Sequence, residues 1–353
     1  YSFAASLVAQ QWMVEEEYMV CRRAPALLAA ARAAAAFVLI AVAACAPMLA
    51  PPRMQTAAPV IVQDAFITRD GLRLPLRHWE AVHPRAIIVA LHGMSDYSEA
   101  FDLPAPWWAA HGITTFAYDQ RGFGAGPNPG LWAGGELMRQ DLSDFVETVR
   151  AKYPSVPVYA LGESMGGAVV LSALASEHPP RVDGAILAAP AVWSRADMPA
   201  AYRAALWLAG NLVPWMNVSG EGLHIVACNN LEVLRKLSRD PLYQHSARAD
   251  QVYGLVNLMD EARHAPEHLS SRTPILLVYG GRDQVIPRPP TQAVIRALGH
   301  RADVRFYPHD YHMLLRDLDG EKIWADIARW IDNGAGSPTP HSAGVPGREK
   351  RPG

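Results

Sequence analysis

The chain has 353 residues, of which half are hydrophobic and 19% are charged. It therefore has enough apolar residues for a sizeable core and does not have the composition of a disordered protein. A formal net charge of −2 shows no excess of basic residues of the kind that binds nucleic acid. Three cysteines exclude a disulfide scaffold or a cysteine-rich zinc module, and the neutral mean hydropathy excludes a polytopic membrane protein.

Residues 1–45 are predicted to be a leader and signal peptide. Basic residues precede an unbroken apolar run, Ala33 to Ala44, which has the length of a signal-peptide core and is short for a membrane-spanning helix. The run ends in Val-Ala-Ala-Cys at Cys45, which resembles a bacterial lipobox, in which the cysteine is acylated and becomes the new N-terminus. We therefore expect a protein that a bacterium exports and anchors by lipid to the membrane, facing the periplasm or the exterior. An uncleaved anchor helix and an ordinary cleaved signal peptide are the alternatives.

Strands and helices alternate after a proline-rich tether at residues 46–60. Gln63–Thr68 and Leu72–Trp79 flank an Asp-Gly turn and are predicted to form a hairpin. Ala86–Leu91 contains only apolar residues, which is typical of a strand buried on both faces. The other predicted strands are 113–117, 158–161, 184–189, 275–279 and 304–307, and the predicted helices are 138–153, 165–176, 291–298 and 321–331.

This alternation predicts a mostly parallel central sheet with helices on both faces. The rhythm is interrupted at residues 193–272, a stretch rich in Trp and Leu without a clear strand. It is too long for a crossover and too apolar for a disordered loop, so it is predicted to be a helical cap inserted after the sixth strand. The core then consists of residues 61–192 and 273–333. Residues 334–353 are rich in Gly, Pro and Ser and are predicted to be a disordered tail.

The segment most informative about chemistry is Gly162-Glu163-Ser164-Met165-Gly166, a G-x-S-x-G pattern between a predicted strand and a predicted helix. In this context the pattern is typical of a nucleophile elbow, a sharp turn that presents the serine at the carboxyl edge of the sheet. The helix N-terminus that follows favours developing negative charge. The alternative is a glycine-rich turn whose serine only caps the helix.

A nucleophilic serine needs a base and an acid that orients the base, and in this type of fold they follow in the order acid, then histidine. Asp283 follows the predicted strand 275–279, and His312 lies in the loop after strand 304–307. His309 competes as the base, but it stands beside a proline and closer to the strand end. Asp310 competes as the acid, but it is too near His312 in sequence for the usual geometry of two loops. The sequence therefore favours Ser164, Asp283 and His312 as the catalytic residues.

Two backbone N–H groups are needed to bind the oxyanion. One is expected from Met165, the residue after the nucleophile. The other is expected from Met94, in the His-Gly-Met loop that follows the strand Ala86–Leu91.

With these residues in place, the chain from about Phe66 to Trp330 resembles α/β-hydrolases of the monoacylglycerol lipase and lysophospholipase group. The matching elements are His92-Gly93-Met94, the run Asp119-Gln120-Arg121-Gly122-Phe123-Gly124, the elbow, Asp240-Pro241-Leu242, Gly280-Gly281-Arg282-Asp283 and His312. The resemblance implies the α/β-hydrolase fold and a serine ester hydrolase acting on monoacylglycerol or lysophospholipid-type acyl esters. Asp119 and Arg121 are expected to hold each other as a structural pair.

The sequence also departs from the group. Many members have His before the nucleophile and Gly-Glu-His after the His-Gly pair, where this chain has Glu163 and Met94-Ser95-Asp96. The chemistry requires neither a metal nor an organic cofactor, and the expected partners are an acyl-ester substrate and a lipid surface. A short-chain general esterase and a non-catalytic lipid-binding lipoprotein are the alternative functions.

Overall fold

The computed structural model describes Arg32 and residues 47–334, without residues 52, 56, 221, 223 and 270–272. Most of the predicted leader, the predicted lipidation site Cys45 and the predicted tail beyond residue 334 lie outside the described residues. The predictions made for them stay predictions.

A nine-stranded sheet forms the centre of the described chain, in the order β1-β2-β3-β5-β4-β6-β7-β10-β11. Its strands are β1 (Val60–Val62), β2 (Ala65–Ile67), β3 (Arg73–Trp79), β4 (Ala86–Leu91), β5 (Ile113–Tyr118), β6 (Val158–Glu163), β7 (Gly184–Ala188), β10 (Ile275–Gly280) and β11 (Ala302–Tyr307). From β5 to β11 neighbouring strands are parallel, whereas β1, β2 and β3 form an antiparallel edge. Every residue of β4 to β7 and of β10 is buried, as helices on both faces require.

The longer helices are α1 (Pro104–Ala110), α2 (Gly135–Lys152), α3 (Met165–Leu174), α4 (Ala200–Leu212), α5 (Leu231–Leu237), α6 (Ala249–His264), α7 (Arg288–Leu298) and α8 (Gly320–Asp332). Helix α1 packs against α8, while α3 packs between α2 and α6. The α/β-hydrolase fold predicted from the sequence is confirmed. No helix of the described residues is long and apolar enough to cross a membrane.

The N-terminal edge has one strand more than predicted. Val60–Val62 pairs with Ala65–Ile67 around Gln63, whose φ of 51° lets the chain reverse direction there. The insertion follows the strand that ends at Ala188, as predicted, but this strand is the seventh of the chain and not the sixth. Three residues are too few to show a period, so the sequence assigned Val60 to the tether and the next two residues to the core without predicting a strand there.

The predicted tether also touches the body. The Ala50 N–H donates to the Trp132 carbonyl at 2.9 Å, and the Met48 N–H donates to Asp250 Oδ2 at 3.1 Å. Residues 47–51 therefore lie along the surface beside the start of α6.

The insertion contains α4, α5 and a small two-stranded sheet formed by β8 (Asn217–Val218) and β9 (Ala247–Arg248). Helix α6 lies within the range predicted as cap, residues 193–272. It nevertheless packs on α3, and Val256, Leu258, Met259 and Ala262 on it are buried in the main core. Structurally, α6 therefore belongs with the helices that cover the sheet. Only the part of the insertion before Ala249 lies outside this layer of helices.

Candidate active site

The turn between β6 and α3 has the geometry of a nucleophile elbow. Ser164 has φ 52° and ψ −114°, a strained conformation for a residue with a side chain. A Cβ on Gly162 would lie 2.3 Å from the Gly166 carbonyl carbon, and one on Gly166 would lie 2.1 Å from the Leu91 oxygen. Strand and helix can therefore approach this closely only because both positions are glycine.

Backbone hydrogen bonds hold the strained serine in place. Its N–H donates to the Ala188 carbonyl at 2.9 Å, and its own carbonyl accepts from Ala168 at 3.1 Å and from Ala191 at 2.9 Å. Ser164 is half-buried, and its Oγ makes no hydrogen bond with any described residue. The backbone of the serine is therefore fixed, while its hydroxyl is free to contact a reactant.

Asp283 and His312 meet although 29 residues separate them. His312 Nδ1 lies 2.8 Å from Asp283 Oδ2, and the Asp283 side chain is fully buried. The other carboxylate oxygen accepts the N–H groups of Val285 and Ile286 at 2.8 and 2.9 Å. These bonds lock the carboxylate, so that the imidazole has a fixed orientation. Both loops and the elbow lie at the carboxyl ends of parallel strands, the edge where such folds bind reactants.

The two competing residues, His309 and Asp310, do not take part in the Asp283–His312 hydrogen bond. His309 is exposed, and the structure gives it no bond to Asp283. Asp310 is buried, and burial raises the pKa of its carboxyl to about 6. Its Oδ1 has no hydrogen-bond partner among the described residues, and its backbone carbonyl binds the Arg282 N–H at 2.9 Å.

The loop after β4 lies directly against the serine. A Cβ on Gly93 would be 3.3 Å from the Ser164 Cβ. In the described part of the chain, the N–H groups of Met94 and Met165 have no acceptor. Two unpaired donors beside Ser164 are what an oxyanion site would require.

The buried side chain of His92 holds this loop. Its Nε2 accepts the Gln120 N–H at 2.9 Å, and its Nδ1 therefore donates to the Gly93 carbonyl at 2.8 Å. Burial lowers the pKa of His92, so the ring stays neutral and keeps both bonds. Gln120 closes the arrangement by donating its side-chain amide to the His92 carbonyl at 2.8 Å.

A buried arginine that the sequence reasoning missed adjoins the elbow. Arg316 Nη2 lies 3.0 Å from Glu163 Oε2 and 2.6 Å from Asp96 Oδ2. Burial raises the pKa of Glu163, while Arg316 acts in the opposite direction. The signal that could have found Arg316 is a basic residue directly after the apolar run Met313-Leu314-Leu315.

Comparison with known proteins identifies the family. Residues 82–319 match the family described as serine aminopeptidase, S33. The chain belongs to this family.

Named relatives of this hydrolase act on lipid esters. It is 26% identical over 281 residues to a monoacylglycerol lipase of Mycolicibacterium smegmatis, covering 76% of this chain and 96% of the relative. It is 24% identical to the phospholipase YtpA of Bacillus subtilis, covering 72% and 98%. A monoglyceride lipase from Saccharomyces cerevisiae, solved with a substrate analogue, superposes with a TM-score of 0.66 at 19% identity and covers 82% of this chain and all of that one. The predicted enzyme class, a carboxylic ester hydrolase, is confirmed.

The hydrolase does not contain the expected pair of Asp119 and Arg121. Asp119 instead accepts the backbone N–H groups of Ser98 and Ala125, each at 2.9 Å. Arg121 binds Asp70 and Asp141 through two hydrogen bonds each, at 2.6 to 2.8 Å. Both residues have structural contacts, but because the turn sends their side chains in different directions, the expected contact between them is wrong.

The motif Asp240-Pro241-Leu242 anchors the insertion of the hydrolase to the loop that carries Met94. Asp240 accepts the Tyr97 hydroxyl at 2.6 Å and the Leu242 N–H at 2.8 Å. Nearby, the Gln244 N–H donates to the Ser95 carbonyl at 2.8 Å. The insertion and the loop that carries Met94 are therefore joined through direct bonds.

The described residues of the hydrolase contain no group of three His, Cys, Asp or Glu side chains able to hold a metal ion. Cys228 is buried, and burial raises the pKa of its thiol to about 12. It is therefore a thiol rather than a reactive thiolate at neutral pH.

Proposed function

We propose that this hydrolase cleaves monoacylglycerol or lysophospholipid-type acyl esters by a Ser-His-Asp acyl-enzyme mechanism. The observation that carries the proposal is the Asp283–His312 hydrogen bond of 2.8 Å at the same edge of the sheet as the strained Ser164. The names of the curated relatives support the choice of lipid esters.

In this mechanism Asp283 accepts a hydrogen bond from the His312 Nδ1–H, so Nε2 is the basic nitrogen. His312 removes the Ser164 proton, and Ser164 attacks the ester carbonyl. The N–H groups of Met94 and Met165 bind the oxyanion, and His312 then protonates the leaving alcohol. Water repeats the sequence on the acyl-enzyme.

The test of the mechanism is Ser164→Ala, assayed by ester hydrolysis and by labelling with a fluorophosphonate, which reacts only with an activated serine. We expect both signals to disappear while the fold is retained. Ser176→Ala is the matched control, because Ser176 is a half-buried serine just after α3 whose hydroxyl only binds the Ala173 carbonyl at 2.7 Å. Hydrolysis that survives Ser164→Ala refutes the assignment, and a wild-type protein without either signal favours the non-catalytic lipid-binding lipoprotein.

Acyl chain length separates a lipase from a short-chain esterase. We expect kcat/KM to rise from acetyl to long-chain monoacylglycerol, with Ser164→Ala as the blank. The support for long chains is the exposed apolar surface of the insertion, which includes Trp207 and Leu208. A maximum at acetyl or butyryl esters would instead identify a general esterase.

A lipid surface is the proposed location, and an apolar face of the molecule supports it. Large apolar side chains on α4 and in the loop after it are about half exposed: Tyr202, Trp207, Leu208, Leu212, Trp215 and Met216. Met48 and Leu49 are also exposed. They adjoin this face through Asp250, whose carboxylate accepts the Met48 N–H and whose own N–H donates to the Pro214 carbonyl. Apolar surface of this kind marks an interaction site.

Flotation with phosphatidylglycerol-containing vesicles tests the location. We expect Trp207→Ser and Trp215→Ser to reduce the floated fraction, and Val82→Ser, which changes an exposed apolar residue elsewhere, to leave it unchanged. Equal flotation of all three variants contradicts a role for this face. Intact mass of the mature protein tests lipidation separately, and an unmodified Cys45 would rule out the lipobox.

A further inference from the structure

A single buried guanidinium joins the three loops of the proposed site. Arg316 contacts Glu163 and Asp96, and all three residues are at most 5% exposed. Glu163 immediately precedes Ser164 in the elbow, Asp96 belongs to the loop that carries Met94, and Arg316 belongs to the loop that carries His312. One side chain therefore connects the nucleophile loop, the oxyanion loop and the histidine loop.

Burial makes this connection stiff. In a medium of low dielectric constant, a charged group that loses its partner keeps the desolvation penalty, so the three side chains are strongly held together. Both contacts are made by one guanidinium nitrogen, Nη2. A lysine side chain is one bond shorter, so its ammonium group would not reach the position of this nitrogen.

The cluster also carries charge next to the base. With both carboxylates ionised, Asp96, Glu163 and Arg316 have a net charge of −1, and Glu163 interacts electrostatically with His312. A negative charge at this place favours the imidazolium that forms when the base takes the serine proton.

Other ionisable groups face the same cluster. His92 after β4 interacts with Asp96 and Arg316. Tyr243 and Cys228, both from the insertion, interact with Arg316. Burial raises the pKa of Tyr243 and of Cys228, and it lowers that of His92, so none of the three adds charge near neutral pH. Asp283 faces His312 from the loop after β10.

We propose that Arg316 is a positioning residue that sets the placement of Ser164 relative to His312 through Glu163, and of the Met94 loop through Asp96, and that the negative charge of Glu163 which it holds there favours the imidazolium form of His312. This inference rests on the proposed function of the site. The Oγ of Ser164 has no hydrogen bond with a described residue that would hold it toward His312. The relative position of the Ser164 and His312 loops therefore depends on other contacts, such as that of Arg316 with Glu163.

The first test is Arg316→Lys, which keeps the charge but shortens the side chain by one bond. We expect kcat and the rate of fluorophosphonate labelling to fall about tenfold to a hundredfold, with KM within about threefold, because misplacement by about 1 Å can cost about a hundredfold in rate. The matched control is Arg121→Lys. Arg121 is also buried between two carboxylates, Asp70 and Asp141, but contacts neither Ser164 nor His312. It should lose stability with kcat within about threefold of wild type.

The second test is Glu163→Gln, which keeps the shape and removes one charge. We expect the acidic limb of kcat/KM against pH to move to lower pH by about half a unit or more, since the base loses a neighbouring negative charge. A purely structural contact would leave this limb in place. If Arg316→Lys does not fold, the Glu163→Gln profile decides alone.

Wild-type kcat in folded Arg316→Lys, or an unmoved acidic limb in Glu163→Gln, overturns the inference. These results differ from a failure of the proposed function itself. In that case the wild-type protein neither hydrolyses esters nor reacts with the fluorophosphonate.

Discussion

Replacing Asp283 by Asn changes one atom and is expected to reverse the hydrogen-bond pattern of the base. The Oδ1 position faces two donors, the N–H groups of Val285 and Ile286 at 2.8 and 2.9 Å. The amide oxygen must occupy that position, so the NH₂ group faces His312 Nδ1. It can only donate there, which forces the proton onto Nε2 and removes the basic nitrogen from Ser164.

The size of the effect follows from these contacts. Turning the amide around would lose two hydrogen bonds, at about 1 to 1.5 kcal/mol each, so the productive tautomer is disfavoured by about 2 to 3 kcal/mol. The charged hydrogen bond that stabilises the imidazolium contributes about another 2 kcal/mol. Together, about 4 to 5 kcal/mol corresponds to a decrease of about 10³- to 5 × 10³-fold in kcat.

The assay is steady-state hydrolysis of a soluble ester, with Tm measured on the same samples. Asp283→Asn should keep its fold, because the shape and the two backbone hydrogen bonds remain. Asp310→Asn is the matched control, since Asp310 is a buried carboxylate in the same loop as His312 and should retain activity within a few-fold. Activity of Asp283→Asn within about tenfold of wild type would refute the reasoning about the tautomer.

Two further predictions concern stability. Burial raises the pKa of Asp310 to about 6 in the folded protein, against about 4 when unfolded, so this group's contribution to stability is lost as pH rises from about 4 through 6. Asp310→Asn should therefore raise Tm at pH 8 and leave Tm unchanged at pH 4. Equal changes in Tm at both pH values would contradict this linkage between protonation and stability. Gly162→Ala places a Cβ 2.3 Å from backbone atoms of Gly166 and should lower both Tm and activity. Gly220→Ala is the control, because a Cβ there meets nothing within 4 Å, and it should change neither quantity. A stable, active Gly162→Ala variant would show that the elbow can relax.

Much of the fold is visible in short stretches of the sequence. The buried strands appear as apolar runs such as Ala86–Leu91, and α8 as an amphipathic pattern, because burial on one or both faces dictates the residue types directly. The elbow is also local, since Gly162, Ser164 and Gly166 are needed within one turn. Asp283 and His312 could be selected because strand ends at one edge of a parallel sheet bring their loops together.

The errors have a common physical cause. Asp119 and Arg121 are close in sequence, and this suggested a pair, but the turn between them directs each to different partners. The strand Val60–Val62 can be recognised only from its pairing with Ala65–Ile67. Helix α6 resembled the rest of the insertion in composition, and only its packing on α3 separates it.

The sequence by itself determined the alternation of strands and helices, the elbow and the order in which the candidate catalytic residues occur. Each depends on neighbouring residues, through hydrophobic periodicity, turn chemistry and chain order. The tertiary structure alone decided that Arg316 meets Glu163 across 153 positions and Asp96 across a longer separation. A buried charge pairs with whatever the packing brings to it, and no local pattern specifies that partner.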